Sequence, residues 1–224
     1  LLVTDSCNLR CKYCFIETPL PKDHKFSLMT EETAKEGIDL FIRNLTTNDN
    51  IKRNICIYGG EPLINREVVH KSIEYIRQSY SDKNLNIQLI TNGTLISPET
   101  AKILAENRVD IAVSIDGFEA ITNRSRPFVN GGNTFRKIRE GCSQLKKAGC
   151  NSLSISLTLT NYNVPNLRKN VEYLVNEFEP NSFGFNFLLG QPDDLNGHYV
   201  SVSYATEQVI ETFKYLREKG ITED

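Results

Sequence analysis

Short apolar runs alternate with amphipathic stretches along this sequence, and that rhythm restricts its possible folds more than any other feature. Ile55 to Tyr58, Ile87 to Thr91, Val109 to Ile115, Leu153 to Leu159 and Phe183 to Leu189 read as strands, and Leu1 to Thr4 as the middle of another. Between them, apolar residues step by three and four, the spacing of one helical face. Examples are Ala34, Ile38, Phe41 and Leu45, then Val69, Ile73, Ile76 and Tyr80. The same spacing joins Phe135, Ile138, Cys142 and Leu145, then Leu167, Val171, Leu174 and Phe178, and finally Val209, Phe213 and Leu216. Thr30 is placed to cap the first helix, and Ser97-Pro98 supplies a cap and a first-turn proline for another.

Six strands, each followed by a helix, imply a parallel α/β sheet. Two strands decide between a doubly wound sheet and a curled barrel. Leu153-Ser154-Ile155-Ser156-Leu157-Thr158 alternates apolar and polar, as does Phe183-Gly184-Phe185-Asn186-Phe187. A parallel strand covered by helices on both faces reads as a continuous apolar run instead. We therefore expect an incomplete, TIM-like (β/α)6 barrel with parallel strands and a wet lumen. Ser154, Ser156, Thr158 and Asn186 should point into that lumen, and Leu153, Ile155, Leu157 and Phe185 toward the helices. No internal linker, repeat or low-complexity segment divides the 224 residues, so one domain over 1–224 is expected. The opening Leu1-Leu2-Val3-Thr4 starts mid-strand, as an excised piece of a longer protein would.

At 39% hydrophobic and 24% charged, with a net charge of −2, the chain has an ordinary globular composition. That balance gives no electrostatic basis for nucleic acid or an anionic membrane as partner. No apolar run reaches membrane-spanning length, and no secretory leader is evident. A cytoplasmic protein with reduced thiols follows as the expectation.

Function in parallel α/β folds gathers where strands hand over to the loops that follow them. Cys7, Cys11 and Cys14 follow the first strand, Gly59-Gly60-Glu61-Pro62 the second, Thr91-Asn92-Gly93 the third, and Ser114-Ile115-Asp116-Gly117 the fourth. The spacing C-x3-C-x2-C puts three soft ligands on one loop, suited to zinc or to an iron–sulfur cluster. Zinc in a structural site wants a fourth ligand, and His24 is the nearby candidate. Three thiolates on a four-iron cluster leave one iron open. Cys56, Cys142 and Cys150 form no spacing motif and read as ordinary core cysteines.

CNLRCKYC, with Tyr13 between the second and third cysteines, followed by YGGEPL, TNG and SIDG, resembles the radical S-adenosylmethionine superfamily. The resemblance runs in order over essentially the whole chain. It is nearest to the peptide- and protein-modifying branch that carries a C-terminal cysteine-rich SPASM region, which includes the sulfatase-maturing enzymes. The resemblance implies that Cys7, Cys11 and Cys14 hold a [4Fe–4S] cluster whose open iron binds S-adenosylmethionine. A low-potential donor of the flavodoxin or ferredoxin type would supply the electron, and a peptide or protein would be the substrate. The radical-generating chemistry would be that of an oxidoreductase-type maturase.

The same resemblance assigns roles to matched residues, each with a plainer alternative. Gly59 and Gly60 would let the backbone approach the methionine moiety, or form a strand-end turn. Glu61 would accept hydrogen bonds from the methionine ammonium, or be a solvated acid at a helix start. Ser114 and Asp116 would meet the ribose or a carboxylate, although Asp116-Gly117 is also a turn sequence. Arg126 would pair with the methionine carboxylate, with Arg124 as the rival and a surface arginine as the alternative for either. Asn92 would orient the ligand or cap a turn. Tyr13 and Phe15 would shelter the cluster and border the adenine, and Leu159 would pack on that ring. Nothing after Gly190 supplies a second cysteine cluster, so the auxiliary-cluster region is absent from this sequence. The remaining readings are a small-molecule enzyme of cofactor biosynthesis and a zinc-stabilised binding module.

Overall fold

The computed structural model describes residues 1–16, 20–21, 23–45, 53–188 and 197–221. Five strands form one parallel sheet in sequential order: β1 (Arg53–Ile57), β2 (Leu85–Thr91), β3 (Asp110–Ser114), β4 (Leu153–Thr158) and β5 (Ser182–Asn186). Helix α1 (Glu31–Arg43) precedes β1, α2 (Arg66–Ser79) follows it, and α3 (Pro98–Glu106) follows β2. After β3 come α4 (Glu119–Ser125) and α5 (Thr134–Ala148); α6 (Leu167–Phe178) follows β4, and α7 (Val202–Glu218) follows β5.

The sixth stave is present as an extended run, not a full strand. Leu2 bridges Tyr58 in parallel, just past the end of β1. Tyr58 N donates to Leu1 O at 2.9 Å, Val3 N to Tyr58 O at 2.9 Å, and Gly60 N to Thr4 O at 2.9 Å. The pairing lies on the β1–loop junction, so the ladder is too short to count as regular strand. With it, six parallel staves follow one another in chain order, and the expected partial (β/α)6 barrel stands. The expected strand from Phe183 ends at Asn186, and Leu189 lies outside the described residues.

Alternation sorts the side chains of every strand. Ile55 and Ile57, Ile87 and Leu89, Ile111 and Val113, Ile155 and Leu157 are buried in one apolar layer. Helical residues such as Val69, Ile73, Leu104, Phe135, Ile138, Val171 and Leu174 complete that layer. At ~1.5–3 kcal/mol for each large aliphatic side chain fully buried, this layer holds sheet and helices together. The opposite face is mixed, with Ile90 and Ala112 near its centre and polar side chains on either side. In register, Asn54 pairs with Asn86 and Ser154 with Ser182. Asn86 Nδ2 donates to Asp110 Oδ2 at 2.8 Å, the Ser154 and Ser182 hydroxyls are 2.6 Å apart, and Asn186 Nδ2 donates to Ser156 Oγ at 2.9 Å. Phe185 turns its ring to Phe213 of α7, centroids 5.4 Å apart, and also borders the lumen.

The caps hold as the sequence predicts: Thr30 accepts from Thr33 N, and Ser97 from Thr100 N. Helix α4 is the element the periodicity did not give. Its seven residues are too short to show an amphipathic repeat, yet it carries Arg124 and is capped at its C-terminus by Arg126.

Candidate functional site

The C-terminal ends of the strands open on a cavity of about 570 Å³. Its wall includes Cys7, Cys11, Tyr13, Cys14, Phe15, Gly60, Asn92, Ser114 and Arg126. Ser156, Thr158 and Asn186 continue it along the lumen face of β4 and β5. Nine residues singled out from separate sequence motifs therefore share one wall. Gly59, Glu61, Asp116 and Leu159 are not on it; Glu61 and Asp116 hold the wall residues Asn92 and Arg126.

The cysteine loop is held in place by backbone pairing. Residues 8–12 run beside 125–129: Arg10 N donates to Pro127 O at 2.8 Å, Lys12 N to Ser125 O at 3.0 Å, and Val129 N to Asn8 O at 3.1 Å. The loop's root lies against the glycines. A Cβ on Gly59 would stand 2.4 Å from Thr4 O, and one on Gly60 would stand 2.4 Å from Ser6 O. Both positions need glycine because the two backbones meet there.

Burial pushes the Cys7 thiol up to about 11 and the Cys11 thiol up to about 12, so both are neutral without a metal. Binding iron must release their protons. Among the described residues, no three His, Cys, Asp or Glu side chains close around a point fit for a single metal ion. A cluster of four irons and four sulfides is a larger object, and three cysteines lining one cavity suit its ligand chemistry. His24, the candidate fourth zinc ligand, stands off the cavity wall with Nε2 2.8 Å from Asp5 Oδ2.

Glu61 is fully buried, and its carboxylate is fully used. One oxygen accepts from Leu63 N at 3.0 Å and the Thr91 hydroxyl at 2.7 Å; the other accepts from Asn92 N at 2.7 Å. It ties the ends of two staves together. Burial pushes its acid up to about 7 against the pull of those donors.

Asp116, also fully buried, anchors a second knot. Arg126 Nη2 donates to its Oδ1 at 3.1 Å and to Thr158 Oγ1 at 3.3 Å, while Tyr13 donates its hydroxyl to Oδ2. Burial, reinforced by the Asp116 carboxylate, holds the Tyr13 phenol protonated well above its usual range. Arg126 is itself only 7% exposed, and its Nε has no partner. A buried, unsatisfied, cationic donor on a cavity wall is suited to an incoming carboxylate. Arg124 behaves differently: its guanidinium stacks 3.9 Å from the Tyr162 ring centroid, off the cavity wall.

Sequence reading missed the residues that brace these knots. Asn163 Nδ2 donates to Asp116 O at 3.0 Å and Thr158 O at 2.8 Å. Asn170 Nδ2 donates to Asn163 O at 3.1 Å, and its Oδ1 accepts from Phe118 N at 3.0 Å. Both asparagines are fully buried, and an apolar helix face interrupted by Asn170 was the one available signal.

Comparison with known proteins agrees with this arrangement. The model of the Radical SAM superfamily matches residues 1–174. An uncharacterised protein of Methanocaldococcus jannaschii is 35% identical over 188 residues, 84% of this chain and 61% of its own length. The cysteine-type anaerobic sulfatase-maturating enzyme of Clostridium perfringens is 31% identical over 64% of this chain and 39% of its own. A GTP 3′,8-cyclase of Peptoclostridium acidaminophilum is 28% identical over 70% of this chain and 45% of its own. The solved structure of native anSMEcpe with bound AdoMet and Kp18Cys peptide superposes with a TM-score of 0.79 at 24% identity, over 97% of this chain and 59% of that one. The chain thus spans about half the length of the proteins it matches.

Proposed function

Since this chain belongs to the radical SAM superfamily, whose members use a [4Fe–4S] cluster and S-adenosylmethionine, we propose that it is the radical-generating core of an enzyme that modifies a peptide or protein. The observation that carries the reading is one cavity wall shared by Cys7, Cys11, Cys14 and Arg126 and continued by Ser156, Thr158 and Asn186 beside Phe185 and Leu188. When bound, the cluster supplies one electron that splits S-adenosylmethionine into methionine and a 5′-deoxyadenosyl radical, which takes hydrogen from the substrate.

The chain's own residues do the rest. Cys7, Cys11 and Cys14 give up their protons and hold the cluster. Arg126, oriented by Asp116 and Thr158, presents its free Nε edge to the methionine carboxylate. Gly60 leaves room at the wall, Ser114 offers a hydroxyl to the ligand, and Tyr13 and Phe15 screen the cluster from water. Glu61 and Asp116 act from behind the wall by holding Asn92 and Arg126, and Gly59 lets the chain pass close to Thr4.

Ser156, Thr158 and Asn186 line the way in with small hydroxyl and amide groups. A peptide backbone, rich in donors and acceptors, finds hydrogen-bond partners in them, and its side chains find apolar contact at Phe185, Phe187 and Leu188. The sulfatase-maturating relative and the peptide-bound neighbour support a peptide substrate. A low-potential electron donor completes the partners. The reducing chemistry of the site fits the cytoplasm, and no described helix is long and apolar enough to cross a membrane. A second reading, a small-molecule enzyme of cofactor biosynthesis, is favoured by the GTP 3′,8-cyclase relative.

The deciding experiment is formation of 5′-deoxyadenosine by the anaerobically reconstituted protein with dithionite and S-adenosylmethionine. Stimulation by cysteine- or serine-containing peptides over the unstimulated rate supports the peptide reading. Stimulation by GTP and not by peptides contradicts it.

A further inference from the structure

The Asn92 side chain occupies an unusual position for a turn residue. Its Nδ2 lies 2.8 Å from Asn8 Oδ1 and 3.9 Å from Cys7 Sγ. An amide carries two N–H bonds, so one serves Asn8 and the other points at the sulfur. Its Oδ1 is fixed as well, accepting from Thr94 N at 3.0 Å and from the Thr94 hydroxyl at 2.7 Å. The Thr94 hydroxyl in turn accepts from Asn8 Nδ2 at 2.9 Å. Two amides and a hydroxyl therefore form a closed ring that gives the Asn92 side chain one orientation.

The backbone is locked too. Asn92 N donates to the buried Glu61 carboxylate at 2.7 Å. Cys7 Sγ also accepts from Leu9 N at 3.4 Å, so this one sulfur receives two donors from two different loops. A merely structural turn cap would need neither the contact with sulfur nor the ring that aims it.

We propose that Asn92, held by Asn8, Thr94 and Glu61, is a positioning residue that sets the reduction potential of the cluster through the Cys7 sulfur. The inference rests on Cys7 being a cluster ligand. Reduction adds one electron to the [4Fe–4S] cluster and no proton, from a low-potential one-electron donor, and the added negative charge is shared with the ligand sulfurs. A hydrogen bond to such a sulfur stabilises the reduced form more than the oxidised form, and so raises the potential. Glu61 holds the Asn92 backbone.

The test is a redox titration of the reconstituted chain, following the reduced cluster by electron paramagnetic resonance. Asn92→Ala should take up the same iron as wild type and show a more negative midpoint potential. Asn8→Ala, which loosens the ring but keeps the Asn92 amide, should shift it in the same direction by less. An unchanged or more positive potential in Asn92→Ala overturns the proposal. Should Asn92→Ala fail to take up iron, Asn8→Ala and Thr94→Val decide, and an unchanged or more positive potential in both overturns it. If wild type itself assembles no cluster, the functional reading fails along with the inference; a cluster whose potential ignores Asn92 defeats the inference alone.

Discussion

Arg126 and Asp116 form a buried ion pair, Nη2 to Oδ1 at 3.1 Å, with side chains 9% and 0% exposed. The pair turns a flexible cation into a fixed one. Charge-assisted contacts of this kind contribute ~1.5–3 kcal/mol, so losing the arginine should weaken S-adenosylmethionine binding by about ten-fold or more. Calorimetric titration of reconstituted Arg126→Ala checks this. Arg124→Ala loses a stack on Tyr162 and should bind as wild type does. The reverse pattern would assign the carboxylate contact to Arg124.

Glu61 gives the fold a pH dependence. Its acid sits at about 7 in the folded chain against an ordinary 4.5, because burial outweighs three donors. A raised carboxyl means the folded state holds the proton more tightly, so stability falls as pH rises from about 4.5 to about 7 and then levels off. A shift of that size corresponds to about 3 kcal/mol. Thermal melts across that window should show the decline in wild type and a flatter profile in Glu61→Gln. At acid pH that variant should melt lower, since an amide nitrogen facing Asn92 N replaces an acceptor, a loss of about 1–3 kcal/mol, and the gap should close as pH rises past about 7.

Gly60→Ala should damage the cysteine loop. The new methyl meets Ser6 O at 2.4 Å and Asp5 O at 2.7 Å, both backbone atoms that cannot swing away. Overpacking of this kind costs about 1–3 kcal/mol, and here the strain falls directly on the approach to Cys7. Lower iron uptake and a lower melting temperature are expected. Gly184→Ala on β5, with nothing within 4 Å of the added carbon, is the matched control and should be silent in both measurements.

These positions show what was legible in the sequence and what was not. Strand alternation and helix capping are local, so β4, β5, Thr30 and Ser97 could be read directly. The lumen face of β4 followed from the period of two, whereas Phe185, expected to face the helices, also borders the cavity. Burial of a carboxylate is a tertiary fact: Glu61 looks like a solvent-facing acid until Thr91 and Asn92, thirty residues on, are folded against it. The choice between Arg124 and Arg126 depends on α4, which is too short to leave a periodic trace. The bracing by Asn163 and Asn170 was hidden for the same reason as that by Glu61, since each reaches a loop some fifty residues away, at Asp116 O and Phe118 N.

Ser156→Leu tests the lumen. Ser156 lines the cavity and receives the Asn186 amide at 2.9 Å, so a larger apolar side chain both narrows the channel and strands that donor. Substrate-stimulated turnover should fall much further than cleavage of S-adenosylmethionine in the absence of substrate. Equal loss of both, with a lowered melting temperature, would place Ser156 in the scaffold instead of the channel.

Iron and acid-labile sulfide content after anaerobic reconstitution tests the central claim most directly. Cys7, Cys11 and Cys14 line one wall of one cavity, and the account predicts about four irons and about four sulfides per chain. Replacing any one of the three by alanine should remove most of both, while Cys142→Ala should leave them in place. Stoichiometric zinc with no iron uptake, or a full cluster retained in the Cys7, Cys11 and Cys14 variants, would contradict it.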